Sequence, residues 1–314
     1  MQNQTAVTQF ILLGFTDVRW MQLLLFAVLL LIYFLTIMGN IIIISITLID
    51  VYLQTPMYFF LRNFSILEIG FTSISIPKML ANLVMDSNTI SISSCFVQLF
   101  FYFLVGIAEL FLLAVMSLDR YVAICHPLRY PVIMNRNVCI HLVVWSWVGS
   151  FMSVFFTTVV ITQLPFCGPN IINHFFCDNS PLLKLACTDT RLIELVDFII
   201  AIVTVLGTLS ITVVSYVHII SAILNMPTKT GQQKAFSTCA SHLMVVFITY
   251  GSCIFMYVKP AHDGKLDFNK AAAIFNNVIS PLLNPFIYSL RNKQVQKALR
   301  KAFGQRAQFF KGLR

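Results

Sequence analysis

The chain has 314 residues, of which 58% are hydrophobic and only 11% charged, with 29 phenylalanines and a formal net charge of +9. A soluble domain carries about a quarter charged residues, so this composition excludes a water-facing globule and makes lipid the solvent. The apolar runs are continuous rather than alternating, which excludes a β-barrel and leaves an all-α membrane protein, a helix bundle with short connections.

No cleavable signal peptide is visible, because the run Phe10 to Phe15 is short and lacks a basic flank. The first spanning helix is therefore expected to act as its own uncleaved insertion signal. Residues 1–22 read as a short polar tail. Within it, Asn3-Gln4-Thr5 is an N-glycosylation acceptor, meaningful only on an extracellular end. Asn63-Phe64-Ser65 also matches, but falls on the opposite side of the membrane. The first helix is expected from about Leu23 to Ile49, with Gly39-Asn40 breaking its apolar pattern. Thr55-Pro56-Met57-Tyr58-Phe59-Phe60-Leu61 turns the chain and opens the second helix, Pro56 standing near the first helical position. That helix reaches about Leu83, carries Glu68, and is expected to kink at Pro77.

The third helix runs from Cys95 to about Cys125, with Glu109 at bilayer depth. It ends Met116-Ser117-Leu118-Asp119-Arg120-Tyr121-Val122-Ala123-Ile124-Cys125. A charge pair at a helix end also serves as a plain snorkelling anchor. The fourth helix is expected from about Val138 to Ile161, with Trp145 and Trp147. A long polar loop from Thr162 to about Arg191 holds Cys167, Cys177 and Cys187. The fifth helix spans about Leu192 to Leu224 and includes Ser215-Tyr216. The sixth, about Gln233 to Val258, opens Lys234-Ala235-Phe236-Ser237-Thr238-Cys239-Ala240-Ser241-His242-Leu243 and passes through Thr249-Tyr250-Gly251. With no proline in this helix, Gly251 is a candidate hinge. His242 reads first as a packing histidine at the cytoplasmic end, with a pH-sensitive partner as the alternative. The seventh, about Phe268 to Leu290, ends Pro281-Leu282-Leu283-Asn284-Pro285-Phe286-Ile287-Tyr288. Beyond it, Val295, Ala298, Leu299, Ala302 and Phe303 recur at helical spacing, with Lys297, Arg300 and Lys301 between them. That pattern is an amphipathic helix lying on an anionic membrane surface. The chain thus divides into a tail at 1–22, seven helices over 23–290, and a cytoplasmic segment at 291–314.

Seven spans put the two ends on opposite sides. Fourteen of the 21 basic residues fall on the side of Asp119-Arg120 and the C-terminus. The positive-inside rule makes that side cytoplasmic and the N-terminus extracellular, in agreement with the glycosylation triplet. The same clustering shows that the net charge is no nucleic-acid footprint. Of eight cysteines, Cys95, Cys167, Cys177 and Cys187 then lie outside, where disulfides persist, and four cysteines allow three connectivities. A zinc site at Cys167, Cys177, Cys187 and His174 competes with this reading, but the spacings lack close cysteine pairs. Glu68 and Glu109 are the only acids well inside the membrane. A charge there costs at least about 2.5 to 3.5 kcal/mol, so each needs a partner, a proton or an ion. Asn40 and Asn284 are positioned to converge on them, which suits a hydrated Na⁺, a shared proton, or a protonated structural pair.

The Asp119-Arg120-Tyr121 string, with its flanks, resembles the end of the third helix in rhodopsin-like G-protein-coupled receptors. With Pro56 to Leu61, Lys234 to Leu243 and Asn284-Pro285-Phe286-Ile287-Tyr288, it resembles the class II (tetrapod-type) odorant receptors, over nearly all of Phe10 to Lys293. The resemblance implies a plasma-membrane receptor that binds a small, mostly apolar odorant and activates a stimulatory heterotrimeric G protein to raise cAMP, with no cofactor. It implies that Arg120 is held by Asp119 at rest and freed on activation to meet the G protein and Tyr216, with Tyr121 and Tyr288 joining the switch. It implies a disulfide between Cys95 and Cys177, leaving Cys167 with Cys187; Cys95 with Cys187 is the main alternative. In the wider family an acid on the second helix forms a sodium site, and Glu68 stands where Asp is usual. By the same analogy the ligand pocket lies in the outer half of the bundle, faced by Tyr102, Phe103, Gly106, Ile107, Thr204, Tyr250, Cys253, Ile254, Tyr257 and Asn277. Tyr102 replaces the acid of amine receptors, and Val278 stands at the retinal-lysine position of opsins, so neither a cationic amine nor retinal is expected.

Two rival classes fit less well. A transporter is suggested by the buried acids, but no inverted repeat or pair of broken helices is present. A membrane enzyme is not expected, because no HExxH or GxSxG motif and no paired intramembrane aspartates occur.

Overall fold

The computed structural model describes residues 8–14, 16, 18–85, 88–167, 170–257, 270, 273–292 and 294–301, except for the side chains at 234, 238, 255–257, 290 and 291. Asn3, Phe268, the side chain of Tyr257, Ala302 and Phe303 lie outside the described residues.

Apolar composition and lipid length set the main elements: α1 (Arg19–Ile49), α2 (Pro56–Val84), α3 (Ile92–Cys125), α4 (Arg136–Thr162), α5 (Arg191–Leu224) and α6 (Lys229–Tyr257). Each of these six is long and apolar enough to cross a bilayer. The seventh is a π-helical segment, Phe275–Ile279, continuing into α7, Ser280–Arg291. A final helix, α8, covers 294–301. Local signals fix several ends. Pro56 occupies the first turn of α2, where its missing N–H costs nothing. Ser91 Oγ accepts from Ser94 N at 3.2 Å, and Asn135 Oδ1 from Val138 N at 3.0 Å, capping α3 and α4. Helix α1 begins at Arg19 rather than Leu23, and α6 at Lys229 rather than Gln233. The turn added to α6 is polar, and that added to α1 mixes Arg19 and Gln22 with Trp20 and Met21, so neither shows as a continuation of the apolar run.

Burial identifies the central element. In α3, 67% of the apolar window is buried, against 22% in α1 and α4 and 28% in α5. Helix α3 therefore runs through the middle of the bundle, while α1, α4 and α5 turn leucine, valine and phenylalanine outward, as lipid solvation requires. Helix α1 meets α7 closely at Gly39, where an added Cβ would lie 3.1 Å from the Pro285 ring.

The end of the bundle expected to face outward holds an element absent from the sequence reading. Strand β1 (Gln9–Leu12) pairs antiparallel with β2 (Thr89–Ser91) and parallel with β3 (Ile171–Ile172), in the order β2-β1-β3. Phe10 and Leu12 alternate inward and are fully buried in a second core with Leu99, Ile161, Leu182 and Leu183. Residues 9–12 of the expected polar tail are thus a sewn-in strand. Four residues are too short a stretch for period-two patterning to register. Disulfides join Cys95 to Cys177 and Cys167 to Cys187, with Cα separations of 5.5 and 5.8 Å. All four outer cysteines are consumed, which removes the zinc reading.

Candidate functional site

Three polar clusters occupy the inner end, the middle and the outer half of the bundle. At the inner end, Arg120 donates from Nη2 to Asp119 Oδ2 at 2.7 Å, with both residues buried. Tyr130, from the single helical turn Tyr130–Ile133, donates its hydroxyl to Asp119 Oδ1 at 2.8 Å. Burial and the Asp119 charge push the Tyr130 phenol well above its ordinary value, so it stays a donor. Each Asp119 oxygen therefore has its own donor, and the ion pair is closed. Asp119, Arg120, His242, Tyr288 and Asn292 line one cleft together with Met57, Leu61 and Met116.

Tyr216 does not meet Arg120 here. Its hydroxyl and His242 Nδ1 lie 2.7 Å apart, the rings stacked at 5.8 Å, so α5 is tied to α6. The Tyr288 hydroxyl is buried with no hydrogen-bond partner, its ring edge-on to Phe64 at 6.1 Å. Tyr121 points away from the pair, toward His126 Nε2 at 3.2 Å and the His218 ring at 5.7 Å. The Tyr58 hydroxyl, on α2, shares its one proton between Gln294 Oε1 at 2.7 Å and Asn292 Oδ1 at 3.1 Å, fastening the junction of α7 and α8. Tyr130, His242 as the partner of Tyr216, and the Tyr58 tether escaped the sequence reading. Only for His242 was a signal present, a histidine in a helix otherwise expected to face apolar neighbours.

In the middle, Asn284 Nδ2 donates to Glu68 Oε1. Asn40 does not join them; its amide donates to Thr36 O of its own helix at 3.0 Å. Glu68 Oε2, Glu109 Oε1 and Asn284 Oδ1 are buried and unpartnered. The orphaned oxygens of the bonded pair Glu68 and Asn284 fit a hard monovalent cation or a shared proton, and offer nothing to a thiophilic metal. Among the described residues no group of three or more His, Cys, Asp or Glu comes together as a metal site.

In the outer half, Tyr102 donates to Asn277 Oδ1 at 2.9 Å and stacks on Phe71 at 5.0 Å. Phe103 lies edge-on to Tyr102 at 5.3 Å, and Phe176 is tilted against it at 4.6 Å. Thr204, Tyr250, Cys253 and Asn277 are buried, while Phe103, Gly106, Ile107 and Ile254 are half-buried. Tyr250 donates to Leu110 O at 3.4 Å, across to α3. The loop between α4 and α5 roofs this region. Phe175 and Phe176 enter the main core, and Cys177 N donates to Gln98 Oε1 at 3.1 Å. In the same loop, desolvation, with the nearby Lys270 charge, pulls the His174 imidazole down to about 3. Burial pushes the Asp178 carboxyl up to about 6.

With this geometry in view, the comparisons are consistent. The olfactory receptor family model matches residues 29–306. Mouse Olfactory receptor 6E1 is 54% identical over 302 residues, covering 96% of this chain and 96% of that protein. Human Olfactory receptor 6C1 is 53% identical over 298 residues, covering 95% and 96%. The crystal structure of squid rhodopsin superposes with a TM-score of 0.67 at 18% identity, over 93% of this chain and 88% of that one, a likeness of fold.

Proposed function

The chain belongs to the olfactory receptor family, and from that premise we propose that it binds a small, mostly apolar volatile in the outer half of the bundle and activates a stimulatory G protein, raising cAMP. Family membership makes it a multi-pass membrane receptor for odorants rather than an enzyme. The class of G protein, the plasma-membrane location and the extracellular N-terminus are parts of the proposal. The orientation rests on the basic residues gathered at the Arg120 end and on the two disulfides at the other.

One observation carries the coupling: the Asp119–Arg120 pair is buried, doubly satisfied and set in the inner cleft beside His242 and Tyr288. A snorkelling anchor would reach for headgroups instead. In the proposed cycle, odorant favours a state in which α6 moves outward. Arg120 leaves Asp119, Tyr216 leaves His242, and the freed arginine meets the G protein. The ligand shifts this equilibrium only by its differential affinity for the two states. Glu68, Glu109 and Asn284 hold Na⁺ or a proton between the two ends and favour the closed state. The test is cAMP in cells carrying Arg120→Ala with wild-type surface labelling. Loss of the odorant-evoked signal is expected; an undiminished response sinks the switch.

A further inference from the structure

The π-helical segment before α7 carries two adjacent buried amides, Asn276 and Asn277. A π turn inserts a residue into the helical repeat and re-aims the side chains around it, which is why such turns gather at functional sites. Here the two amides face different helices. Asn276 Oδ1 accepts from Ser252 of α6 at 2.9 Å. Asn277 Oδ1 accepts from Tyr102 of α3 at 2.9 Å. Asn277 is 0% exposed, yet its Nδ2 donates to nothing. A buried donor without an acceptor is costly, and a native fold keeps one where another group completes it.

The surroundings restrict that group. Phe71, Phe103 and Phe176 close on Tyr102 with ring separations of 5.0, 5.3 and 4.6 Å. The Tyr102 hydroxyl proton is already committed to Asn277 Oδ1. Among the described residues, the Asn277 amide is thus a neutral donor beside a group of aromatic rings. Such a place suits an uncharged acceptor on a hydrocarbon. It suits a carboxylate least, because a neutral amide does not offset the cost of burying its charge.

Resting on the odorant-receptor reading above, we propose that Asn277 Nδ2 is the polar anchor of the ligand site and selects odorants bearing a carbonyl oxygen, as in ketones, aldehydes and esters. The hydrocarbon part of the ligand lies against Phe71, Phe103 and Phe176.

The test compares 2-hexanone through 2-decanone, each against the n-alkane of the same chain length. Binding is read as thermal stabilisation of the purified full-length receptor, and signalling as cAMP in cells. At the best-fitting length the ketone is expected to be about tenfold more potent, the worth of one buried neutral hydrogen bond. Asn277→Leu, checked by surface labelling, is expected to erase that difference. The wild-type comparison stands whether or not the variant folds. Equal potency of ketone and alkane, or no ketone binding at any length, overturns the anchor. Carbonyl-selective binding without cAMP leaves the anchor standing and overturns the stimulatory coupling. Signalling confined to ligands without a carbonyl does the reverse.

Discussion

Tyr130 sits in a four-residue helical turn, outside every span, and supplies the second donor to Asp119. Its removal should loosen the resting state without touching the arginine. Tyr130→Phe forfeits a hydrogen bond to a charged group, worth about 1.5 to 3 kcal/mol. Where the open state gains only part of that, ligand-independent cAMP is expected to rise roughly fivefold or more; an unchanged basal level would show that the tyrosine only packs. The outer loop supplies a pair of residues with opposite pH behaviour. His174 is held down to about 3 in the folded protein, so unfolding takes up a proton below its ordinary 6.5. Its contribution is present above about pH 6.5 and is lost as pH falls. Asp178 is held up to about 6 from 3.8, so its contribution is present below about pH 4 and is lost as pH rises through 6. The two slopes oppose each other between pH 4 and 6. In melting of the purified receptor, Asp178→Asn should leave acid destabilising, and His174→Phe should leave acid stabilising. If both variants keep the parent slope, neither group titrates on unfolding.

At the scale of elements, two glycines separate close packing from freedom to bend. An added Cβ at Gly39 would press on Pro285 at 3.1 Å, whereas at Gly251 it would meet no heavy atom within 4 Å. Gly39→Ala is therefore expected to cost about 1 to 3 kcal/mol by overpacking the α1–α7 contact, seen as a lower melting temperature in detergent. Gly251→Ala is expected to stabilise α6 by up to about 1 kcal/mol through helix propensity. If Gly251 is the hinge, the same variant melts higher but answers odorant more weakly; a stabilised and fully responsive variant would remove that role. The helices themselves were legible before folding. Each is an apolar stretch bounded by Pro56, Asn135 or a polar loop. The π segment was not legible, because it depends on Asn276 and Asn277 reaching Ser252 and Tyr102 on two other helices. Strand β1 was missed for a related reason, its partners lying about 80 and 160 residues away in sequence.

For the whole molecule, the outer end is fastened and the inner end is latched. Cys95–Cys177 closes a separation of 82 residues and ties the roof to α3, while Cys167–Cys187 closes 20 within the roof. Loop-closure entropy grows with the length enclosed. Cys95→Ser is therefore expected to reduce surface-expressed, ligand-responsive receptor more than Cys187→Ser. Equal losses would indicate that the roof matters only as a unit. The latch at the far end is a set of side-chain bonds: Arg120 to Asp119, Tyr216 to His242, and Tyr58 to Asn292 and Gln294. Such bonds exchange far more readily than covalent ones, which favours the Arg120 end of the bundle as the place where the proposed switch moves.

By itself the sequence determined the solvent, the helical bundle, the expected orientation and the family. These follow from composition, from charge placement and from strings of adjacent residues, all of which are local. The Asp119–Arg120 pair was legible for the same reason, its two members being neighbours in the chain. Only the tertiary structure decided which partner each polar group takes: Tyr130 on Asp119, His242 on Tyr216, Thr36 rather than Glu68 for Asn40, and Tyr102 for Asn277. In a bilayer a buried polar group must find a partner somewhere in the bundle. Which one it finds depends on helix rotation and depth, and those are set by packing between segments far apart in the chain.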